Sequence, residues 1–266
     1  MTEYNKLSDV TLTMIVRDEL MNPAGGLHAV LSRHLPYFKN VVVLDTGSID
    51  GTRQLLEQMA GEHRQLKVYD AKFEGYGPAR NTAKGHVKTE YTLMLDADEM
   101  LKRPEELVTE IQSFSENHLR LDMIKVYHNG EEVECIAGWN PRLFKSNQVT
   151  LRGLVYEMAY FDDRLILGQL PAIQTKFLHF EPSKEDSRKK LEWYDSFSNW
   201  NNIFPKEAPS QTPSFPLWKT PNPATLLKYE IDVPAEIEYL ERLGLQVHPG
   251  ILERLQQYRG NNDDRI

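Results

Sequence analysis

The chain has 266 residues, 40% hydrophobic and 26% charged, which suits a globular protein with a real core in one large or two small domains. Its net charge of −8 disfavours a general electrostatic grip on nucleic acid or anionic membrane. The single cysteine, Cys135, excludes an internal disulfide framework and a zinc site built on several thiolates; with no apolar run of membrane-spanning length, a reducing, cytoplasmic setting is expected.

Residues 1–10 (MTEYNKLSDV) are polar and acidic, unlike a signal or transit peptide, and are expected as a flexible leader. Thr11–Val16 reads as a strand that stops at Arg17-Asp18-Glu19, and Pro23–Gly26 as a turn. Leu27, Val30, Leu31, His34 and Leu35 recur at helical spacing up to Pro36. Asn40–Leu44 is a short apolar strand ending at Asp45-Thr46-Gly47-Ser48. Asp50 is placed to cap a helix carrying Leu55, Leu56 and Met59. Leu66–Tyr69 is a third strand, Gly75 and Gly77 mark a loop, and Ala79–His86 is a short helix bearing Arg80 and Asn81. Thr92–Leu95 is a fourth strand, and Pro104–Phe114 a further helix.

Alternating strands and helices predict a parallel, doubly wound half. The later strands Leu121–Tyr127, Arg142–Phe144, Leu151–Met158 and Thr175–Phe180 lack long helices between them, so this part of the sheet is expected to be mixed or antiparallel. Ser183 and Asp186 fit a capping box, and Trp193, Phe197, Trp200 and Phe204 form an aromatic stripe read as core packing. Six prolines between Pro205 and Pro223 mark an extended linker or lid. Ala235–Leu243 and Ile251–Tyr258 read as short helices before a disordered tail, GNNDDRI.

The chemistry concentrates in Tyr91–Met100, YTLMLDADEM, where an apolar strand ends in Asp96, Asp98 and Glu99. Open α/β sheets bind ligands at the carboxyl ends of their strands. On a regular strand Asp96 and Asp98 would share a face, and two hard oxygen ligands there suit Mg²⁺ or Mn²⁺, which can carry a diphosphate.

Four motifs in order, TMIVRDE, VVVLDTGSIDGT, GPARNTA and YTLMLDADEML, resemble the family 2 glycosyltransferases of GT-A fold. WNPRLFK, VYEMAY and KFLHFE resemble the subgroup with an RLF segment, an HE-type dipeptide and a later histidine, over about residues 11–195. The resemblance implies a GT-A, Rossmann-like mixed sheet flanked by helices. The domain division expected is a catalytic domain over 11–204 (donor half 11–101, acceptor half 102–204), followed, where the resemblance fades, by the Pro-rich linker or lid over 205–224 and a helical extension over 225–266 read from the residues themselves.

It also implies transfer of a sugar from a nucleotide diphosphate donor, a UDP-sugar by preference, with Mn²⁺ or Mg²⁺. The backbone around Val16 would meet the base, Glu19 the ribose, and Asp45 a uracil N–H or ribose hydroxyl. Arg80 would take phosphate or bridge Asp residues. Asp96 would hold ribose and metal, and Asp98 and His179 would ligate the metal. Glu157, matching the Glu of the HE-type dipeptide, would deprotonate the acceptor; Tyr156 stands where that subgroup has histidine. Asp162, Asp163 and Glu181 are rivals for the base. Arg142 and the run Arg188–Lys190 are possible phosphate clamps, though a basic run is commonly a solvated face. The acceptor (glycan, peptide side chain, lipid or modified DNA base) and the oligomeric state are open. The alternatives are a sugar-phosphate nucleotidyltransferase, against which the absence of Lys or Arg from Pro23–Gly26 counts, and an inactive nucleotide-sugar-binding protein.

Overall fold

The computed structural model describes residues 7–113, 118–135, 141–166, 170–197 and 219–263. Its first strand, β1, is Leu7–Val16, so residues 7–10 belong to the sheet and not to a leader. Leu7 pairs with Phe38 and Val10 with Tyr91, and a register irregularity before Thr11 turns Ser8 and Asp9 to solvent. Those two polar residues are what disguise the start of the strand.

The next elements are α1 (Leu27–His34), β2 (Phe38–Asp45), α2 (Thr52–Glu62), β3 (Leu66–Asp70), α3 (Tyr76–Gly85) and β4 (Tyr91–Met94). β1 to β4 are mutually parallel. Period-two alternation sends Leu12, Met14 and Val16 into the large core with Leu27, Leu31, Leu55 and Met59 of α1 and α2. Ile15 and Leu44 pack instead with Ala79 and Ala83 of α3. Helices therefore cover both faces of this half, as the alternating pattern predicts. Asp50 is not the cap of α2, whose N-cap is Gly51 in a left-handed conformation without a side-chain cap bond. Asp50 stands one residue earlier, where Oδ1 accepts from the Thr52 N–H at 2.9 Å and Oδ2 accepts from Leu20 N at 3.0 Å, tying the loop after β1 to the start of α2.

The second half follows as β5 (Glu99–Leu101), α4 (Pro104–Glu110, then a 3-10 turn, Ile111–Ser113), β6 (His118–Val126), β7 (Glu132–Cys135), β8 (Leu143–Lys145), β9 (Val149–Arg152), β10 (Met158–Phe161), β11 (Arg164–Leu165), β12 (Ala172–Phe180) and α5 (Lys184–Phe197). Among the described residues one sheet runs β3-β2-β1-β4-β8-β6-β12-β5, with β7 on β6, and β11-β10-β9 form a separate antiparallel sheet. The mixed α/β architecture expected from sequence, a sheet flanked by helices, is the one found. Leu151–Met158 is not one strand, however. Gly153 (φ 120°) and Tyr156 (φ 53°) break it into the turn between β9 and β10. Ser183 and Asp186 do form the capping pair, with Asp186 N donating to Ser183 Oγ at 3.2 Å.

The helical extension comprises α6 (Pro223–Leu226), α7 (Val233–Arg242) and α8 (Pro249–Asp263). α8 reaches residue 263, so residues 260–263 of the expected disordered tail are helical. Leu240, Val247, Ile251 and Leu255 join the main core, and Arg254 Nη1 lies 2.7 Å from both oxygens of buried Asp186. Most of the Pro-rich segment, with Trp200 and Phe204 of the aromatic stripe, lies outside the described residues. Among those residues no helix is long and apolar enough to cross a membrane.

Candidate functional site

A cavity opens at the carboxyl ends of the parallel strands. Its wall takes Val16 to Glu19 from the end of β1, Thr46 from the end of β2, and Asp96 to Asp98 beyond β4. Lys190, Trp193 and Tyr194 of α5 and Lys219 close it. A second cavity, lined by Arg80, Arg142, Tyr156 and Glu157 among others, shares Tyr76, Asp96 and Tyr194 with the first.

β4 ends at Met94, so Asp96 and Asp98 lie on the tight turn into β5 and do not share a strand face. The turn is pinned from below: Glu99 Oε2 accepts from Asp96 N at 2.8 Å, and Arg142 Nη2 donates to Glu99 Oε1 at 2.7 Å. Arg142 is thereby occupied with Glu99 and the Phe177 ring, 4.9 Å away, and is no part of the first cavity's wall. Burial pushes the Glu99 carboxyl up to about 7, against the pull of Arg142.

The antiparallel pairing of β12 with β5 sets His179 opposite Glu99, and Phe180 N donates to Asp98 O at 3.1 Å. His179 Nε2 consequently lies 3.7 Å from Asp98 Oδ2. Burial pushes Asp98 up, but His179, then Lys190 and Lys219, outweigh it and hold the carboxyl below its usual range. Burial lowers His179, yet Asp98, then Glu99 and Glu181, raise it overall. Two of the three expected metal ligands thus face each other. The third, Asp96, points to Arg80, and among the described residues no three His, Cys, Asp or Glu side chains gather as a cation cage. A carboxylate and an imidazole so placed fit a divalent cation that takes its remaining ligands from water and a substrate diphosphate.

Arg80, expected from sequence to take phosphate or bridge Asp residues, lines the second cavity. It is buried, donates through Nε to Glu157 Oε1 and through Nη2 to Asp96 Oδ1 at 2.5 Å, and so bridges the carboxylates of two different strand ends. Burial lowers Arg80, but Asp96 and Glu157 more than offset that and hold it fully charged. Two glycines make the bridge possible. A Cβ on Gly75 would stand 2.9 Å from Leu154 Cα, and one on Gly77 2.8 Å from Gly153 O. Their absence lets the β9–β10 turn lie on the start of α3, with Tyr76 N donating to Leu154 O at 2.9 Å and Gly77 N to Gly153 O at 3.0 Å.

Of the other expected residues, Val16 lines the first cavity, but its carbonyl already accepts from Thr46 N and Oγ1, each at 2.9 Å. Glu19 lines it too. Its Oε1 pairs with Lys219 Nζ at 2.6 Å, and burial pushes the carboxyl up to about 7 in spite of that lysine. Asp45 is buried and lies outside the cavity wall. Its Oδ1 accepts from Gly47 N and Ser48 N, and its Oδ2 has no hydrogen-bond partner among the described residues. Two of the rival bases are placed elsewhere, Asp163 pairing with Arg152 on the small sheet and Asp162 sharing its turn; Glu181 pairs with Lys125 at 2.8 Å and also lies 3.9 Å from His179 Nδ1.

Lys190 is not a solvated-face residue; its Nζ lies 4.0 Å from Asp98 Oδ2 in the first cavity. The spacing of Lys190, Trp193 and Tyr194, three and four residues apart on a helix, is the signal that could have revealed it. Lys219 carries no local signal at all, because only tertiary structure brings it to Glu19.

Residues 24–118 match the family model described as glycosyl transferase family 2; the match includes Asp45, Arg80, Asp96 and Asp98 and ends before Glu157 and His179. Glycosyltransferase AglJ of Haloferax volcanii is 45% identical over 61 residues, which span 23% of this chain and 19% of that protein. Among solved structures, S. aureus TarS 1-349 in complex with UDP-GlcNAc is 20% identical over 52% of this chain and 45% of that one, with a TM-score of 0.44. Mannosyltransferase PcManGT from Pyrobaculum calidifontis, in complex with GDP-Man and Mn²⁺, is 15% identical over 96% of this chain and 81% of that one, with a TM-score of 0.46. The chain thus spans about a fifth of the curated relative and under half of the TarS chain. The likeness to glycosyl transferase family 2 thus rests on residues 24–118, just over a third of the chain.

Proposed function

We propose that the chain is a metal-dependent inverting glycosyltransferase that moves a sugar from a nucleotide diphosphate donor, with UDP-sugars the first to test, to an acceptor hydroxyl. One observation carries this reading. The cavity at the strand ends, with Asp96, Asp98, Lys190 and Lys219 in its wall, meets the cavity of Glu157 at Asp96. That junction is where a donor's anomeric carbon and an acceptor oxygen would come together.

In this reading the nucleoside lies against Val16 to Glu19 and Thr46, and Lys190 faces the diphosphate beside Asp98. A cation held by Asp98 and His179 would offset the negative charge that grows on the leaving diphosphate. Glu157 takes the proton of the acceptor hydroxyl as its oxygen bonds the anomeric carbon and the bond from that carbon to the diphosphate oxygen breaks. Arg80 holds Glu157 and Asp96 at fixed separation, so that base and donor meet in register.

A thermal-shift panel of UDP-, GDP- and TDP-sugars, with and without Mn²⁺, tests this directly. The expected result is a rise in Tm with one nucleotide that requires Mn²⁺. No rise with any of them would contradict the reading.

A further inference from the structure

The residue before the proposed base is strained and displayed. Tyr156 has φ 53°, a left-handed conformation that bulky L side chains disfavour, yet 47% of it is exposed. Glu157, its neighbour, is by contrast largely covered, its side chain 11% exposed where it pairs with Arg80. A glycine or asparagine would hold that backbone more easily, so local folding does not explain a tyrosine there.

The ring belongs to a row. Tyr156 and Tyr194 stand edge to face at 5.8 Å and 81°, and Tyr194 and Tyr76 at 5.9 Å and 85°. Tyr76 and Tyr194 line both cavities, so the row runs from the wall the two cavities share to the exposed Tyr156 of the second. Among the described residues, the aliphatic side chains lining that second cavity are Met94 and Val155. A lipid chain would need a longer aliphatic channel, and an unfolded peptide a sheet edge or apolar pockets. A sugar ring has an apolar C–H face and a rim of hydroxyls, which match an aromatic surface bordered by carboxylates.

We propose that Tyr156 is the platform on which the acceptor stacks, and that the acceptor is a saccharide whose attacking hydroxyl is thereby turned toward Glu157. This rests on reading the second cavity as the acceptor side of a glycosyltransferase. Tyr156 is then a binding residue that sets acceptor class, with no part in holding the donor.

Saturation-transfer NMR tests it, with methyl glycosides of glucose, galactose, mannose and N-acetylglucosamine as probes and N-acetylated Ser, Thr and Asn tripeptides as the comparison, all with UDP or GDP present. The wild type is expected to give saturation at the ring C–H protons of at least one glycoside. Tyr156→Phe should keep it, and Tyr156→Gly should weaken that glycoside's binding about tenfold. Because glycine suits the backbone, Tyr156→Gly should be no less thermostable than the wild type, and its nucleotide-induced shift should be unchanged. The proposal is overturned if no glycoside binds, if Tyr156→Gly binds it equally well, or if only the peptides bind in a Tyr156-dependent way. Absence of any nucleotide shift in the wild type would overturn the transferase reading and this proposal with it. A normal shift without Tyr156-dependent sugar binding would overturn the platform alone.

Discussion

Lys219 and Glu19, 200 residues apart, meet with Nζ 2.6 Å from Oε1. The same ammonium donates to the carbonyls of Arg17 and Asp18, the latter at 2.9 Å, so one buried lysine satisfies the whole end of β1. It anchors the return of the chain beside the cavity and places a cation in its wall. Removing it leaves the partly buried Glu19 carboxylate and two carbonyls without this donor. Lys219→Met is expected to cost about 3 kcal/mol in urea denaturation, and adding Glu19→Gln should recover part of that loss. Equal stability of Lys219→Met and wild type would contradict this role.

Arg80 acts through geometry as well as charge. Its planar fork reaches Glu157 with one nitrogen and Asp96 with another, which an ammonium cannot reproduce. Arg80→Lys should keep the charge balance but lower kcat/KM about 100-fold, since small displacements of reacting groups carry penalties of that order. Donor binding, read by thermal shift, should change much less.

Gly77→Ala probes the same bridge from its other side. The added Cβ would meet Gly153 O at 2.8 Å and push the β9–β10 turn away from α3. A stability loss of about 1–3 kcal/mol is expected from the overpacking, with transfer falling more than donor hydrolysis. Equal falls would separate the turn from acceptor activation.

His34 gives the fold a pH dependence remote from the site. It is buried, its Nδ1 lies 2.7 Å from Val30 O, and its Nε2 accepts from Leu101 N at 3.0 Å, so it is held as the neutral ring. Burial lowers its pKa to about 4. Between about 6.5 and 4 the unfolded chain binds a proton that the folded chain refuses. The stabilisation is therefore complete above pH 6.5 and is lost as pH falls toward 4, on the order of 3 kcal/mol. Urea denaturation at pH 7 and pH 4.5 should show a steeper fall for the wild type than for His34→Gln.

These residues also mark how far sequence reasoning reaches. β1 to β4 and α1 to α3 were legible because burial on both faces writes apolar runs and helical stripes directly into the chain. The acidic turn stood out by its residue types but not by its shape: β4 stops at Met94, and the Asp96 N–H bond to Glu99 Oε2 helps make the turn. His179 was found through a resemblance, whereas its closeness to Asp98 comes from the register of β12 on β5. The Arg80–Glu157 bridge and Lys219 could not be read at all. Each depends on a contact between segments far apart in sequence, and neither arginine, glutamate nor lysine has a local pattern that announces a partner. Leu151–Met158 misled because its composition suits a strand while two left-handed residues, Gly153 and Tyr156, turn it.

The central claim is that Asp98 lies at the heart of a nucleotide-sugar site. Its most direct test is the rate of nucleotide-sugar hydrolysis and transfer by Asp98→Ala, with circular dichroism and Tm recorded on the same sample. The account predicts a native spectrum with both rates down at least about 100-fold. Wild-type rates in a folded Asp98→Ala protein would contradict it.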